Sequence, residues 1–232
     1  MDPVAAIALW STLFVVSHLL VSSQSIRPGL VNRMGELPFR GIYSLVAFGT
    51  LIPLVMTFMR HKHAGAMLWY LRDFRAVRSL TWLLMFAALI MLAASLISPS
   101  PGAIGAPAGG GTAGVHGMRK ITRHPGFVAF SLFGFAHMLM NGWVGDVFFF
   151  GTFPALGILG GIHQDRRKLR ELGQNYHRFV EQTSFFPGAA LASGRQRWGL
   201  ADMPWAAIGI GSAIAVILVM FHPYLFGGSP LG

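Results

Sequence analysis

The sequence predicts an all-α membrane protein, a polytopic bundle of about six transmembrane helices. Three observations predict it. Of the 232 residues, 53% are hydrophobic and 11% charged, and the mean hydropathy is +0.56. A soluble domain carries about a quarter charged residues. The apolar residues gather in runs of about 20, the length a helix needs to cross a bilayer. The 18 Lys and Arg residues fall between those runs.

Six runs qualify in order: residues 4–23, 41–59, 80–97, 126–142, 145–162 and 204–221. The first begins at MDPVAAIALW, which lacks the basic start of a cleavable signal peptide, so it is expected to remain as a membrane helix. The fourth and fifth are separated only by Asn141, Gly142, Trp143 and Val144, a tight helical hairpin. A domain of residues 1–200 is expected to be followed by an added C-terminal helix and tail, 201–232.

The connecting segments set the topology. Loops one, three and five hold 13 Lys and Arg against five in loop two, so the positive-inside rule places both termini outside. The AGAMLWYL stretch of loop two, residues 60–79, either lies in the interface or crosses. Residues 99–114, PSPGAIGAPAGGGTAG, are too rich in Gly and Pro for a regular element and read as a linker or lid. Residues 164–182 read as a charged helix with Leu169, Leu172, Tyr176 and Phe179 on one face. That face either lies on the membrane surface or caps a cofactor cavity.

Charge and composition exclude several functions. The net charge is +10, but the cations flank apolar runs, which is a pattern for topology and lipid headgroups rather than nucleic acid. With no cysteine, disulfide frameworks, zinc ribbons and thiolate-bound iron are out. The eight acidic residues avoid the middle of every apolar run. A proton-coupled transporter normally places a carboxylate there.

What remains inside the apolar runs is imidazole. His18 sits in ALWSTLFVVSHLLVS and His137 in GFVAFSLFGFAHMLM. An ionisable side chain within a membrane segment points to function, and imidazole suits iron and copper. His137 lies roughly 18 Å from the start of its helix and His18 roughly 9 Å from the inner end of its own, at helical rise. That mismatch permits a shared metal without demanding one. Each histidine would otherwise hydrogen-bond a neighbouring helix. Gly134, Ser17 and Ser22 are small enough beside them to admit another helix or a planar cofactor.

In ITRHPGF, Pro125 suits the first turn of a helix. Arg119, Arg123 and His124 then sit at a helix start, either as boundary residues or as a binding site for an anionic group such as a haem propionate. His61 and His63 do not share a helical face, His163 and Asp165 end an apolar run, and His177 faces solvent. The run Phe148, Phe149 and Phe150 either packs or lines a lateral entrance for an apolar substrate.

Three stretches, in order, resemble the NnrU family of membrane proteins: SHLLVSSQSIRPGLVNRMGELPFRGIYSLVAF (17–48), GMRKITRHPGFVAFSLFGFAHMLMNG (117–142) and HQDRRKLRELGQNYHRFVEQTSFFP (163–187). The resemblance covers about residues 10–190. It implies a helical membrane fold and, through the plant 15-cis-zeta-carotene isomerase branch, a b-type haem on two histidines. By position these are His18 and His137, the implied iron ligands, with Arg119, Arg123 and His124 toward the propionates. It implies either isomerisation of cis double bonds in a carotenoid-like polyene or support of nitrite and nitric oxide metabolism in denitrification. The expected location is a bacterial inner membrane. RHPGFVAFSLFGFA followed by DRRKLRELGQNYHRFV is also similar to isoprenylcysteine carboxyl methyltransferases, which implies an S-adenosylmethionine pocket without haem. Asp165 stands where those enzymes tend to carry glutamate, a departure from that pattern.

Overall fold

The computed structural model describes residues 1–101 and 114–227. Its helices are α1 (Pro3–Val21), α2 (Arg27–Met34), α3 (Glu36–Arg60), α4 (Arg75–Ile97), α5 (Met118–Ile121), α6 (Pro125–Met140), α7 (Val144–Leu172), α8 (Gln174–Gln182), α9 (Ala189–Ala192) and α10 (Trp205–Phe226). No strand occurs among the described residues, apart from an isolated bridge between Met67 and Trp143. The expected linker at 99–114 and the last residues of the tail fall almost wholly outside the described residues.

Five helices, α1, α3, α4, α7 and α10, are long and apolar enough to cross a membrane. The sixth expected span, α6, has 16 residues, about 24 Å at helical rise, short of the roughly 30 Å hydrocarbon layer. Large apolar side chains face outward along these helices: Leu9, Leu13, Val16 and Leu20 on α1, Leu45, Phe48 and Ile52 on α3, Ile210 and Ile217 on α10. In water such a surface would aggregate; in lipid it is the solvated one. The chain is a multi-pass helical membrane protein.

Local chemistry explains the helix ends. Asp2 accepts the Ala5 N–H at 2.8 Å and Pro3 opens α1, a side-chain N-cap followed by proline in the first turn. Gly173, at φ +54°, breaks the predicted 164–182 helix into the end of α7 and the separate α8. Within loop two, residues 61–74 form no helix, and their backbone pairs with the α6–α7 turn. Leu68 N–H donates to Gly142 O at 2.7 Å, Val144 N–H to Ala66 O at 3.0 Å and Gly145 N–H to Ala64 O at 2.9 Å.

The chain forms two compact units. The first comprises Met1–Thr81 and Phe133–His163, the second Trp82–Leu132 and Gln164–Gly232. The core of the first joins Ile7, Phe14, Leu54, Phe58, Phe149 and Phe150, with Phe58 stacked on Phe149 at 3.9 Å between ring centres. Two of the three consecutive phenylalanines are therefore core, and Phe148 alone is exposed. α7 carries Pro154, which leaves the Phe150 carbonyl without its usual i+4 donor. Gly134 of α6 packs against that carbonyl and the Pro154 ring, so closely that no Cβ fits.

The core of the second unit joins Met91, Ala93, Ala94, Met118, Val128, Ala129 and Ala207. Here Gly211 of α10 lies on the backbone of Ile90, where an added Cβ would stand 2.8 Å from both Cα and N. Gly209, two residues earlier, has nothing within 4 Å. Gly211→Val should therefore lower stability by about 1–3 kcal/mol through overpacking, while Gly209→Val should leave it nearly unchanged. Thermal unfolding of the two variants in the same detergent checks this; equal melting temperatures would refute the α4–α10 contact.

Candidate functional site

In the first unit, both predicted histidines are half-buried in the same way. His18 Nδ1 lies 2.7 Å from Phe14 O and His137 Nδ1 lies 2.9 Å from Phe133 O, in each case the carbonyl one helical turn earlier. A carbonyl can only accept, so each Nδ1 carries the proton and each Nε2 the lone pair. The His18 ring sits 4.2 Å from Phe14 and edge-on to Tyr43 at 5.4 Å. The His137 ring stacks on Phe150 at 4.7 Å and lies 4.2 Å from Phe133. Phe14 and Phe150 belong to one buried cluster, and Phe133 packs against it. The two imidazoles therefore border one aromatic core.

The small residues beside them have definite roles. Gly134 serves the approach of α7 described above. Ser17 Oγ donates to Phe14 O at 3.1 Å and Ser22 Oγ to His18 O at 2.6 Å. Among the described residues no group of three or more His, Asp or Glu could hold a metal ion. Two imidazoles alone do not complete the coordination sphere of iron, so a metal bound here must bring ligands of its own, as a porphyrin does.

In the second unit, the Arg-His-Pro motif closes on Asp165. Arg123 donates from Nε and Nη2 to Asp165 Oδ2 at 2.9 and 2.7 Å. His124 Nε2 and Tyr176 OH each meet Asp165 Oδ1 at 2.8 Å. His124 and Tyr176 are buried. Burial and the neighbouring Asp165 charge push the Tyr176 phenol above its ordinary range, so it stays protonated and donates. The backbone holds the motif from the other side: Thr122 Oγ1 donates to Phe185 O at 2.7 Å and Arg123 N–H to Ser184 O at 2.9 Å. The apolar face predicted around Tyr176 and Phe179 is thus packed inside this unit.

Arg119 stands apart from this network. It is buried, and its Nη2 meets Ser98 Oγ at 2.9 Å and His116 Nε2 at 3.2 Å. The sequence also left two partnerships unseen. Asp165 and Tyr176 complete the motif, and scarcity is the signal that could have found the acid: an Arg-His pair needs an anion, and the chain has only eight. His63 is the other. Its N–H and Nδ1 meet Asp146 at 3.2 and 2.7 Å, its ring lies 4.3 Å from Trp143, and its backbone is at φ +60°. Asp146 is fully buried in the first turn of α7, where a negative charge suits the helix dipole.

Asp165 is the carboxylate on which Arg123, His124 and Tyr176 meet, so Asp165→Asn leaves Arg123 without its counter-charge and removes the shared acceptor. It should cost about 3–5 kcal/mol, the usual range for breaking a buried pair from one side. Tyr176→Phe, which removes one hydrogen bond, should cost about 1 kcal/mol. Chemical unfolding in mixed micelles measures both, and equal effects would show that Asp165 is not the hub.

Comparison with known proteins agrees with this layout. The family model described as "NnrU protein" matches residues 6–230, and so extends through α10. The chain is 25% identical over 245 aligned positions to the chloroplastic 15-cis-zeta-carotene isomerase of Arabidopsis thaliana, covering 98% of this chain and 62% of that protein. It is 25% identical over 197 positions to the chloroplastic 15-cis-zeta-carotene isomerase of Zea mays, covering 82% of this chain and 51% of that one. The chain thus spans between half and two thirds of the length of these curated relatives. No solved structure matches it. With the family match running almost end to end, through the histidine-bearing helices, the Arg-His-Pro turn and the closing helices alike, the chain belongs to the NnrU family.

Proposed function

We propose that this protein is a b-haem membrane protein in which His18 and His137 would hold the iron, and that it isomerises a cis double bond of a carotenoid-like polyene. The observation that carries the reading is the matched state of the two imidazoles. Each is fixed by a hydrogen bond from Nδ1 to a backbone carbonyl, which presents Nε2 as the ligating nitrogen and raises its basicity. The similarity to two zeta-carotene isomerases supports the substrate class.

The residues present fit the cofactor. They offer two nitrogen donors and an aromatic border, which is what a planar macrocycle with four nitrogens of its own requires. When bound, the haem supplies an iron centre able to engage a polyene double bond or nitric oxide. The chain's own part is to hold the two rings in one tautomer and to surround them with Phe14, Phe133 and Phe150, an apolar lining suited to a hydrocarbon substrate. Arg123 and His124 already share Asp165, so the cofactor reading stands on the imidazoles without them.

The test is an absorption spectrum of the detergent-purified protein, oxidised and dithionite-reduced, beside His18→Ala and His137→Ala. A sharp Soret band with resolved reduced α and β bands, lost in both variants while they still fold, is expected. A protein that stays featureless after haem is supplied overturns the reading and brings the methyltransferase-like alternative forward. Production in a host that accumulates 15-cis-zeta-carotene then separates the activities. Conversion is expected; bound haem without conversion would leave a haem module for nitrite or nitric oxide metabolism.

A further inference from the structure

Among the described residues, no carboxylate pairs with Arg119. Arg119 is 7% exposed, its hydrogen-bond partners are Ser98 Oγ and His116 Nε2 rather than a carboxylate, and its Nε has none. The neighbouring cations are paired: Arg123 with Asp165, Lys120 with Asp202 at 2.8 Å. Burial lowers the Arg119 pKa, yet guanidinium remains charged in proteins. A buried charge without a counter-ion is unfavourable, and the usual remedies are an anion or exposure to water.

The space for an anion is present. A cavity of about 390 Å³ is lined by Arg119, His116 and Ser98 on its polar side and by Ile97, Trp205 and Ala207 on its apolar side. That volume is within the usual range for small-molecule sites. Asp202 also borders it, but that carboxylate is held by Lys120 Nζ and by the Gly199 N–H at 3.0 Å, so its charge is offset.

Position in the membrane decides the ligand class. Ile97 and Ser98 mark the point where spanning helix α4 ends, and Trp205 and Ala207 the first turn of spanning helix α10. Both lie in the second unit, at the depth where the apolar layer gives way to headgroups. Trp205 is 65% exposed there, the usual site of an interfacial tryptophan. The start of α10 has no side-chain cap, so its positive dipole end adds to the field of Arg119. The basic loops of this chain favour the face that carries anionic lipid.

We infer that this cavity binds a phosphate oxyanion at the membrane surface, with Arg119 as its principal contact and the apolar wall as seat for the start of an acyl chain. Its lining comes wholly from the second unit, so the site stands independently of the haem reading, whose histidines lie in the first.

The experiment uses the full chain purified in a zwitterionic detergent. Native mass spectrometry and thermal unfolding follow addition of phosphatidylglycerol, of phosphatidylcholine with the same chains, or of inorganic phosphate. Phosphatidylglycerol is expected to leave a retained adduct and raise the melting temperature, and phosphatidylcholine, whose phosphodiester is offset by its own choline cation, to do so far less. An equal rise with inorganic phosphate would assign the site to a free oxyanion and still support it. Arg119→Gln should weaken the adduct about tenfold, as expected for loss of a charge-assisted hydrogen bond, and Arg119→Lys should keep part of it. Arg33→Gln, which removes an exposed charge from the first unit, should leave binding intact. The proposal is overturned if the wild-type protein responds to neither phosphate source, or if Arg33→Gln weakens binding as much as Arg119→Gln does. Both readings are taken on the wild-type chain first, so a variant that does not fold leaves a decisive result.

Discussion

A chain that turns many of its large apolar side chains outward cannot rely on the hydrophobic effect to bring its spanning helices together. Lipid tails satisfy those side chains as well as another helix would. What remains is close packing of small residues and the pairing of the few buried polar groups. This structure uses both. Gly134 meets the carbonyl that Pro154 leaves free, and Gly211 rests on the backbone of Ile90. Gly142 packs against Trp69 too tightly for any side chain, while the Trp69 indole donates to Met138 O at 2.9 Å.

The polar half of that arrangement is organised around carboxylates, because they are scarce. Asp146 fixes the non-helical loop two through His63, and a separate backbone bridge between Met67 and Trp143 holds the same loop. Asp165 gathers Arg123, His124 and Tyr176, and so orders the Arg-His-Pro turn together with α8. Each acid is deeply set and meets more than one donor. That is how a buried ionised group becomes tolerable. Among the described residues Arg119 is a buried cation with no carboxylate on it, the observation on which the inference of an external anion rests.

The histidines obey the same rule by a different means. Each keeps its Nδ1–H on a carbonyl of its own helix, so neither proton is left unpaired in an apolar setting. The arrangement satisfies the membrane's demand and, in the function proposed above, makes Nε2 the nitrogen that would hold the haem iron. Packing alone would be served by apolar side chains of similar size; the imidazoles add a nitrogen donor beside an aromatic core.

The helical membrane class, most span positions, the two apolar histidines and the family motifs were legible in the sequence, because length, hydropathy and local spacing are properties of short stretches. The break at Gly173 was not among them: residues 164–182 read as one helix, and the positive φ of that glycine divides it. What the sequence could not supply were partnerships between residues remote in the chain. His63 looked idle beside His61, and its partner Asp146 is 83 residues away. His124 looked like a helix boundary or an anion site until Asp165, 41 residues on, took its ring. Loop two gave no sign in the sequence of the backbone pairing it makes with the α6–α7 turn. Hydropathy determined by itself that this chain lives in a bilayer and where it crosses. Only the tertiary structure decided which polar groups meet, because in an apolar medium that choice is made by whichever distant partner can satisfy a buried donor, and no local pattern encodes that distance.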